Sequence, residues 1–412
     1  MCLISDLHKV PLDATMIIIN NNNHGVIPND LSKYKNLQKL SIFKNKCFMD
    51  LSYLLLPDTL KKLYIYDNPN LSVLPKLPDG LKSFTCTNNN IAELNGLPDG
   101  LETLICPDSS MSYLPKKLPS KLITLTCHNN YIAKLPDELP NTLKILYCGM
   151  NRITSLPKLP DGLEYFDCEH NCIQSLPDIL PSKLIEFRCN HNCIQKLPKM
   201  LPSTLTRIYC NHNYIQVLPT LPISLTDLRC EDNVLLLLGK LPPNIKRVDC
   251  DRNSIFRLPM IPDNIEWFYC EKNEITHIPY WPPTLAFDEY ISDTPIYELL
   301  QDIIKDVPNE RDVFNTNPQK YNTYNTNDDD ESDYDSTPDY DTTHKLHRAL
   351  TIVNNIRKIY YRMKCKKRLL RFYFKVNQKR IEEKYKPENL EKILSQNEDM
   401  DEDEFDTILA NW

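Results

Sequence analysis

Apolar and polar positions alternate in short bursts along this chain, and the bursts recur. From Leu163 to Pro181 the pattern reads Leu-x-x-Phe-x-Cys-x-x-Asn-x-Ile-x-x-Leu-Pro-x-x-Leu-Pro. Its Cys position returns at Cys86, Cys106, Cys127, Cys148, Cys168, Cys189, Cys210, Cys230, Cys250 and Cys270, in steps of 20 or 21 residues. So short and regular a period specifies a solenoid. Leu163, Phe166 and Cys168 have the spacing that puts three side chains on the inner face of a short strand. Asn171 follows where its amide can bond the turning backbone. One turn cannot bury that face alone. Stacked at about 4.8 Å, successive turns place each Leu, Phe, Cys and Ile over its counterpart in one continuous apolar column. Leu176, Pro177, Leu180 and Pro181 write the return path as an extended outer wall, since proline's fixed φ and missing donor exclude a helix. The Asn positions, Asn89, Asn130, Asn151, Asn171, Asn192, Asn213, Asn233, Asn253 and Asn273, are expected to form a structural ladder.

Three worn turns precede this array. Ile17, Ile19 and Asn22 mark the first, Leu37, Leu40, Ile42 and Asn45 the second, and Leu60, Leu63, Ile65 and Asn68 the third, in steps of 23. With the ten Cys-marked turns they make thirteen, and end repeats are expected to be atypical. Ser109 stands where Asn is expected, after Pro107, so that turn should leave the ladder. Asn95-Gly96 and Gly239 replace a wall proline and should loosen the outer side. Trp281-Pro282-Pro283 offers a large apolar cover, and a degenerate half turn runs from Leu285 to Tyr290. Thr294 and Pro295 then carry the cap and first-position signature of a helix. Its stripe is Ile296, Leu299, Leu300, Ile303, Ile304 and Val307, ended by Pro308. That helix is expected to cap the last turn, making residues 1–308 the solenoid domain.

These residues resemble the leucine-rich repeat, in the short proline-walled form of bacterial type III effectors of the YopM and IpaH kind, with Cys where Val, Ile or Leu is usual. The resemblance covers about the first three quarters of the chain. It implies an α/β-solenoid, mainly β, curved, with a parallel sheet on the concave side and a polyproline-like convex wall. The Asn-rich, Cys-marked dialect also resembles repeat proteins of giant DNA viruses of amoebae. IpaH-type proteins add a large C-terminal ubiquitin-ligase domain with a Cys-x-Asp nucleophile. Here only about a hundred residues follow the repeats, and Cys365 precedes Lys366 and Lys367, so the motif is missing. A general base and an oxyanion site are likewise not indicated, and the expectation is a protein without catalytic residues.

Composition sharpens this picture in three ways. Thirty-two Pro against seven Gly suit a wall of extended segments and argue against Gly-rich phosphate loops. Of fifteen Cys, ten fall in the inward column, where a free thiol acts as a small apolar residue. Side chains stacked in parallel suit a disulfide's dihedral poorly, which points to a reducing compartment. No Cys-x-x-Cys pair suggests zinc, and no cofactor is implied. Met1 to Leu12 lack the apolar core of a signal peptide and no run is long enough to span a bilayer. An intracellular, cytoplasmic protein is expected, in the host cytoplasm if the chain is viral, with the nucleus open as well.

The net charge of −7 conceals segregation beyond the repeats. Residues 309–343 read as a disordered acidic linker, with eight acids between Asp328 and Asp341. Residues 344–386 carry fifteen Lys or Arg against Glu382 and Glu383, a net of +13. Leu346, Leu350, Val353, Ile356, Tyr360, Met363, Leu370 and Phe374 recur there at helical spacing, so the segment reads as a basic amphipathic helix. An anionic membrane, a calmodulin-like groove, nucleic acid, or nuclear import through Lys364 to Arg368 are the candidate partners, beside simple docking within the protein. Residues 387–412 hold nine acids against Lys392 and could clasp that helix.

The outward strand positions form the candidate binding face. The column beside the Cys contains Tyr64, Tyr147, Asp167, Arg188, Tyr209, Arg229, Asp249 and Tyr269. The column two places earlier contains Tyr165, Glu186, Arg207, Asp227, Arg247 and Trp267. Tyr, Trp and Arg are enriched in binding hot spots, so these residues favour a protein partner on the concave face over a small-molecule substrate. The plainer alternative is that oppositely charged neighbours merely satisfy one another across strands. Mixed signs disfavour nucleic acid on this face. His170, His191 and His212 form a further column, which suggests either a pH-sensitive patch or copied surface residues, with metal binding the lesser reading.

Overall fold

The computed structural model of the protein describes residues 10–20, 29–282, 285, 291–306 and 350. Of the segments beyond the repeats, the linker 309–343 and the tail 387–412 lie outside the described residues, as do Asn22, Cys365 and all of 344–386 except Leu350, which is helical and buried.

Thirteen parallel strands form one sheet in sequence order. The first four are the longest: β1 (Met16–Asn20), β2 (Lys39–Phe43), β3 (Lys62–Asn68) and β4 (Ser83–Asn89). Nine strands of three residues follow. They are β5 (Thr103–Ile105), β6 (Thr124–Thr126), β7 (Ile145–Tyr147), β8 (Tyr165–Asp167), β9 (Glu186–Arg188), β10 (Arg207–Tyr209), β11 (Asp227–Arg229), β12 (Arg247–Asp249) and β13 (Trp267–Tyr269). Their middle residues, such as Phe166, Phe187, Ile208 and Leu228, point into the solenoid and are fully buried. Phe166 and Phe187 stack at 5.5 Å between ring centres.

All ten column cysteines are buried. Several thiols reach a carbonyl of the next turn, Cys250 Sγ to Tyr269 O at 3.1 Å and Cys210 Sγ to Arg229 O at 3.3 Å. Burial pushes the thiols of Cys86, Cys127 and Cys210 up to about 12. Such thiols are packing residues, not nucleophiles.

The Asn side chain is the hinge of each turn. Asn171 Nδ2 donates to Cys148 O, Cys168 O and Glu169 O, each at 3.1 Å, while its Oδ1 accepts Ile153 N at 2.9 Å. One amide thereby ties two turns together. The residue before each Asn takes a left-handed backbone, from Lys44 at φ 57° through Met150 and His191 at 51° to Lys272 at 51°. A conformation costly for Met or Lys is sustained because the ladder fixes both ends of the turn. On the other side, a turn closed by Leu184 N to Pro181 O at 3.1 Å feeds β9, and the same Pro-to-Leu or Pro-to-Ile closure recurs from Pro57 to Pro262.

At Ser109 the turn leaves the Asn ladder as expected, while its backbone is kept: Asp108 has φ 52°, matching its neighbours. Ser109 Oγ bonds Pro107 O at 3.3 Å instead. Gly96 and Gly239 turn left-handed, at φ 65° and 71°, and after Leu236-Leu237 the outer wall gains parallel bridges, Leu237 to Arg257 and Arg257 to His277.

At the C-terminal end, Trp281 is buried edge-on against Phe268, 5.8 Å between ring centres, and its Nε1 donates to Leu285 O at 3.2 Å. Thr294 then occupies the next ladder position. Its Oγ1 donates to Ile291 O at 2.7 Å and caps helix α1 (Pro295–Asp306) through Tyr297 N at 3.4 Å. Ile296 N bonds Ile275 O at 2.8 Å. The last rung is thus converted into a helix whose Ile296 and Leu300 are buried on the solenoid's end. Leu299, placed by its spacing in the buried stripe, is 42% exposed, because the contact is narrower than the stripe.

Candidate functional site

Strand register fixes the outward columns of the sheet. One runs Tyr147, Asp167, Arg188, Tyr209, Arg229, Asp249, Tyr269. The other runs Tyr165, Glu186, Arg207, Asp227, Arg247, Trp267. The twelve residues predicted as partner-binding therefore share these two outward columns, and Asp227 makes thirteen. Acid and base alternate along the second column, Glu186, Arg207, Asp227 and Arg247, and the side chains use that alternation.

Glu186 is the centre of the network. Its carboxylate, only 7% exposed, accepts from Arg188 Nε and from Arg207 Nε at 2.7 Å. Burial alone would raise this carboxyl, but the two guanidinium hydrogen bonds outweigh it and hold Glu186 below the usual carboxylate range. One turn on, Arg229 pairs with Asp227 at 3.3 Å. Between the two clusters stands Tyr209, its ring 5.2 Å from the Arg188 guanidinium and 4.7 Å from that of Arg229. Its hydroxyl donates to Asp227 Oδ2 at 3.2 Å. The plainer expectation, that opposite charges satisfy one another, therefore holds for these acids.

Beyond Arg229 the compensation runs out. Arg247 lies 5.4 Å from the Trp267 ring and 5.9 Å from that of Tyr269. Its Nε is buried and meets no acceptor among the described residues. Trp267 is 42% exposed, and at the other end of the face Tyr147 is 37% exposed. The face can thus offer a partner aromatic rims around a rigid, prepaired polar centre, and one guanidinium with an unmet donor. Pairing of this kind lowers the cost of ordering long side chains on binding.

Carboxylates crowd at the edge of this face. Burial pushes Asp167 up to about 6, and burial together with neighbouring Asp249 pushes Asp251 up to about 7. Since an unfolded Asp titrates near 3.8, the folded chain holds more protons than the unfolded one between about pH 4 and pH 7. The contribution of these two carboxyls to stability therefore falls as pH rises through that window. Asp251→Asn keeps the acceptor for Glu271 N and removes the charge. It should stabilise the protein by about 1–2 kcal/mol at pH 8, after allowance for solvent screening, and by little at pH 4. Urea midpoints of the two proteins at both pH values would show this, and equal midpoints at pH 8 would contradict it.

The histidine column is a stack. His170 and His191 rings are 4.0 Å apart, His191 and His212 4.1 Å, and His212 Nδ1 meets Asp232 Oδ2 at 2.9 Å. Burial and the two flanking imidazoles hold His191 below the ordinary histidine value. Among the described residues no group of three or more His, Cys, Asp or Glu is arranged to hold a metal ion.

No protein-family model matches the sequence, and no curated protein matches it. Solved structures do. The chain is similar to YopM from Yersinia enterocolitica, at 31% identity over 66% of this chain and 64% of that one, with a TM-score of 0.58. It is similar also to YopM from Yersinia pestis, a leucine-rich effector, at 32% identity over 60% of this chain and 70% of that one, with a TM-score of 0.54. The chain is a leucine-rich-repeat protein. It spans 64% of the length of the first of these structures. In this leucine-rich-repeat protein the thirteen face residues occupy the outward positions of β7 to β13.

Sequence reasoning did not foresee two features of the face. Glu186 was placed as an outward side chain, yet it is buried under two arginines. The signal was the residue order Glu186, Arg188, Arg207, which gives one acid two bases within reach. The unmet Nε of Arg247 had no sequence signal, because it depends on the ring positions of Trp267 and Tyr269.

Proposed function

We propose that this protein is a non-catalytic interaction scaffold that holds a protein partner on its concave face, between Tyr147 and Trp267. The observation that carries this reading is the face itself, with aromatic rims and four arginines fixed in place by Glu186, Asp227 and stacked rings. Hot-spot chemistry is of this kind, and rigid side chains lose little entropy on binding. Likeness to an effector described as leucine-rich supports a recognition role in general terms. The nine buried free thiols from Cys86 to Cys250 support a reducing, intracellular setting, which is the host cytoplasm if the chain is viral.

The test is a capture experiment from lysate with the full chain beside a variant carrying Tyr209→Ala, Arg229→Ala and Trp267→Ala. A partner held by the former and lost by the latter, with circular dichroism unchanged, is the expected result. A partner held equally by both would move recognition off this face.

A further inference from the structure

The residue before each ladder position ends its turn on an exposed edge, with a left-handed backbone. From Met150 onward this edge column carries mostly long or ring side chains, among them His170, His191, His212, Arg252 and Lys272. Over four earlier turns it is short and polar, with acid and amide alternating: Asp67, Asn88, Asp108 and Asn129. Asn88 Nδ2 donates to Asp67 Oδ1 at 2.9 Å, and Asn129 Nδ2 donates to Asp108 Oδ1 at 2.7 Å. Each amide thus orients one carboxylate. Each pair keeps a second carboxylate oxygen and an amide oxygen as acceptors.

Behind this comb the ladder is interrupted. Where other turns fill the space with an Asn side chain, Ser109 is short and bonds back to Pro107 O. Beside it lies a hollow of about 530 Å³ lined by the comb, Ser109 and Tyr131, among others. That volume lies within the range of small-ligand sites, about 300–1,000 Å³. Tyr131 is 51% exposed, and the Arg152 guanidinium packs 4.8 Å from its ring centre.

The chemistry of the lining narrows the ligand. Asp67 and Asp108 stand two turns apart, about 10 Å at the strand spacing, too far to share one cation. The lining contains no Lys, Arg or His, so an anion finds no counter-charge. Oriented carboxylate and amide oxygens at one-turn intervals, with an aromatic ring at the side, match a ligand that presents rows of hydroxyl donors and an apolar C–H face. We propose that the hollow at Ser109 is a binding site for a neutral oligosaccharide, its hydroxyls donating to Asp67 and Asp108 and its rings running along the turns. The site uses none of the concave columns and is independent of the protein partner.

The test is saturation-transfer NMR and calorimetry on the full chain with cellotetraose, maltotetraose and chitotetraose at millimolar concentration. At least one is expected to bind saturably. Ser109→Asn, which fills the hollow, should weaken that binding by about tenfold or more. A second variant, Asn88→Gly with Asn129→Gly, removes both orienting amides at positions where glycine tolerates the positive φ, and should do the same. The triple variant of the concave face should bind the sugar as the wild type does. Absence of saturable binding for all three sugars overturns the proposal, as does unchanged affinity in either hollow variant that keeps wild-type circular dichroism.

Discussion

Asn192→Ala should destabilise the protein by about 4 kcal/mol, one of the largest effects of any single polar substitution in it. Asn192 Nδ2 donates to Cys168 O at 3.0 Å, Cys189 O at 3.2 Å and Asn190 O at 3.1 Å, and Oδ1 accepts Ile173 N at 2.9 Å. Alanine strands the buried Ile173 amide, at about 1–3 kcal/mol if water cannot reach it, and leaves three carbonyls of two adjacent turns with one donor in place of two, Asn171 Nδ2 on Cys168 O, Asn213 Nδ2 on Cys189 O and His170 N on Asn190 O. It also frees His191 from the closure that sustains its left-handed backbone, at φ 51°. Urea denaturation followed by circular dichroism should show a lower midpoint. A loss below about 1 kcal/mol would mean that water replaces the amide and that the ladder is not what joins the turns.

Phe187→Ala should cost a similar amount, about 3–5 kcal/mol, for a different reason. The ring is fully buried and stacks on Phe166 with its plane inclined by only 10°. The turns beside it hold Ile208 and Phe166 in register through the sheet, so the backbone cannot collapse into the space left behind. Because each turn touches only its neighbours, the loss weakens two interfaces and can split unfolding into two steps. Calorimetry should show a broadened or divided transition. A single sharp transition at the wild-type temperature would contradict this view of the core.

Much of this fold was legible because the sequence repeats the same physical solution. The spacing of Leu163, Phe166, Cys168 and Asn171 yields the strand, its buried side and the turn in one reading, and thirteen strands stack as the marker period requires. What the spacing did not show was the backbone between Cys and Asn. Met150 and Lys272 have no propensity for a left-handed turn, and only the hydrogen bonds of the ladder put them there. The conversion of the final rung into a helix was legible in Thr294 and Pro295 as a cap. That Thr294 also continues the ladder, in register with Asn273, depends on its bond to Ile291 O.

The concave face divides in the same way. Which residues share it follows from period alone, as the columns through Arg188 and Arg207 illustrate. How they are paired does not, because Glu186 chooses between bases on its own strand and on the next. The hollow at Ser109 is the reverse case. A missing Asn was visible, but its consequence was not a broken turn. The backbone persists, what is lost is the bridging amide, and Ser109 lines a hollow.

The central claim is that the concave face is where a protein partner sits, and site-specific photo-crosslinking tests it most directly. A benzophenone side chain placed in turn at Tyr165, Tyr209 and Trp267 on the concave face, and at Ile179 and Met200, which are 84% and 82% exposed on the outer wall, would be irradiated in cell lysate. The account predicts that the concave positions yield adducts with one and the same protein and that Ile179 and Met200 do not. Adducts to a common protein from Ile179 and Met200, with none from the concave positions, would contradict it.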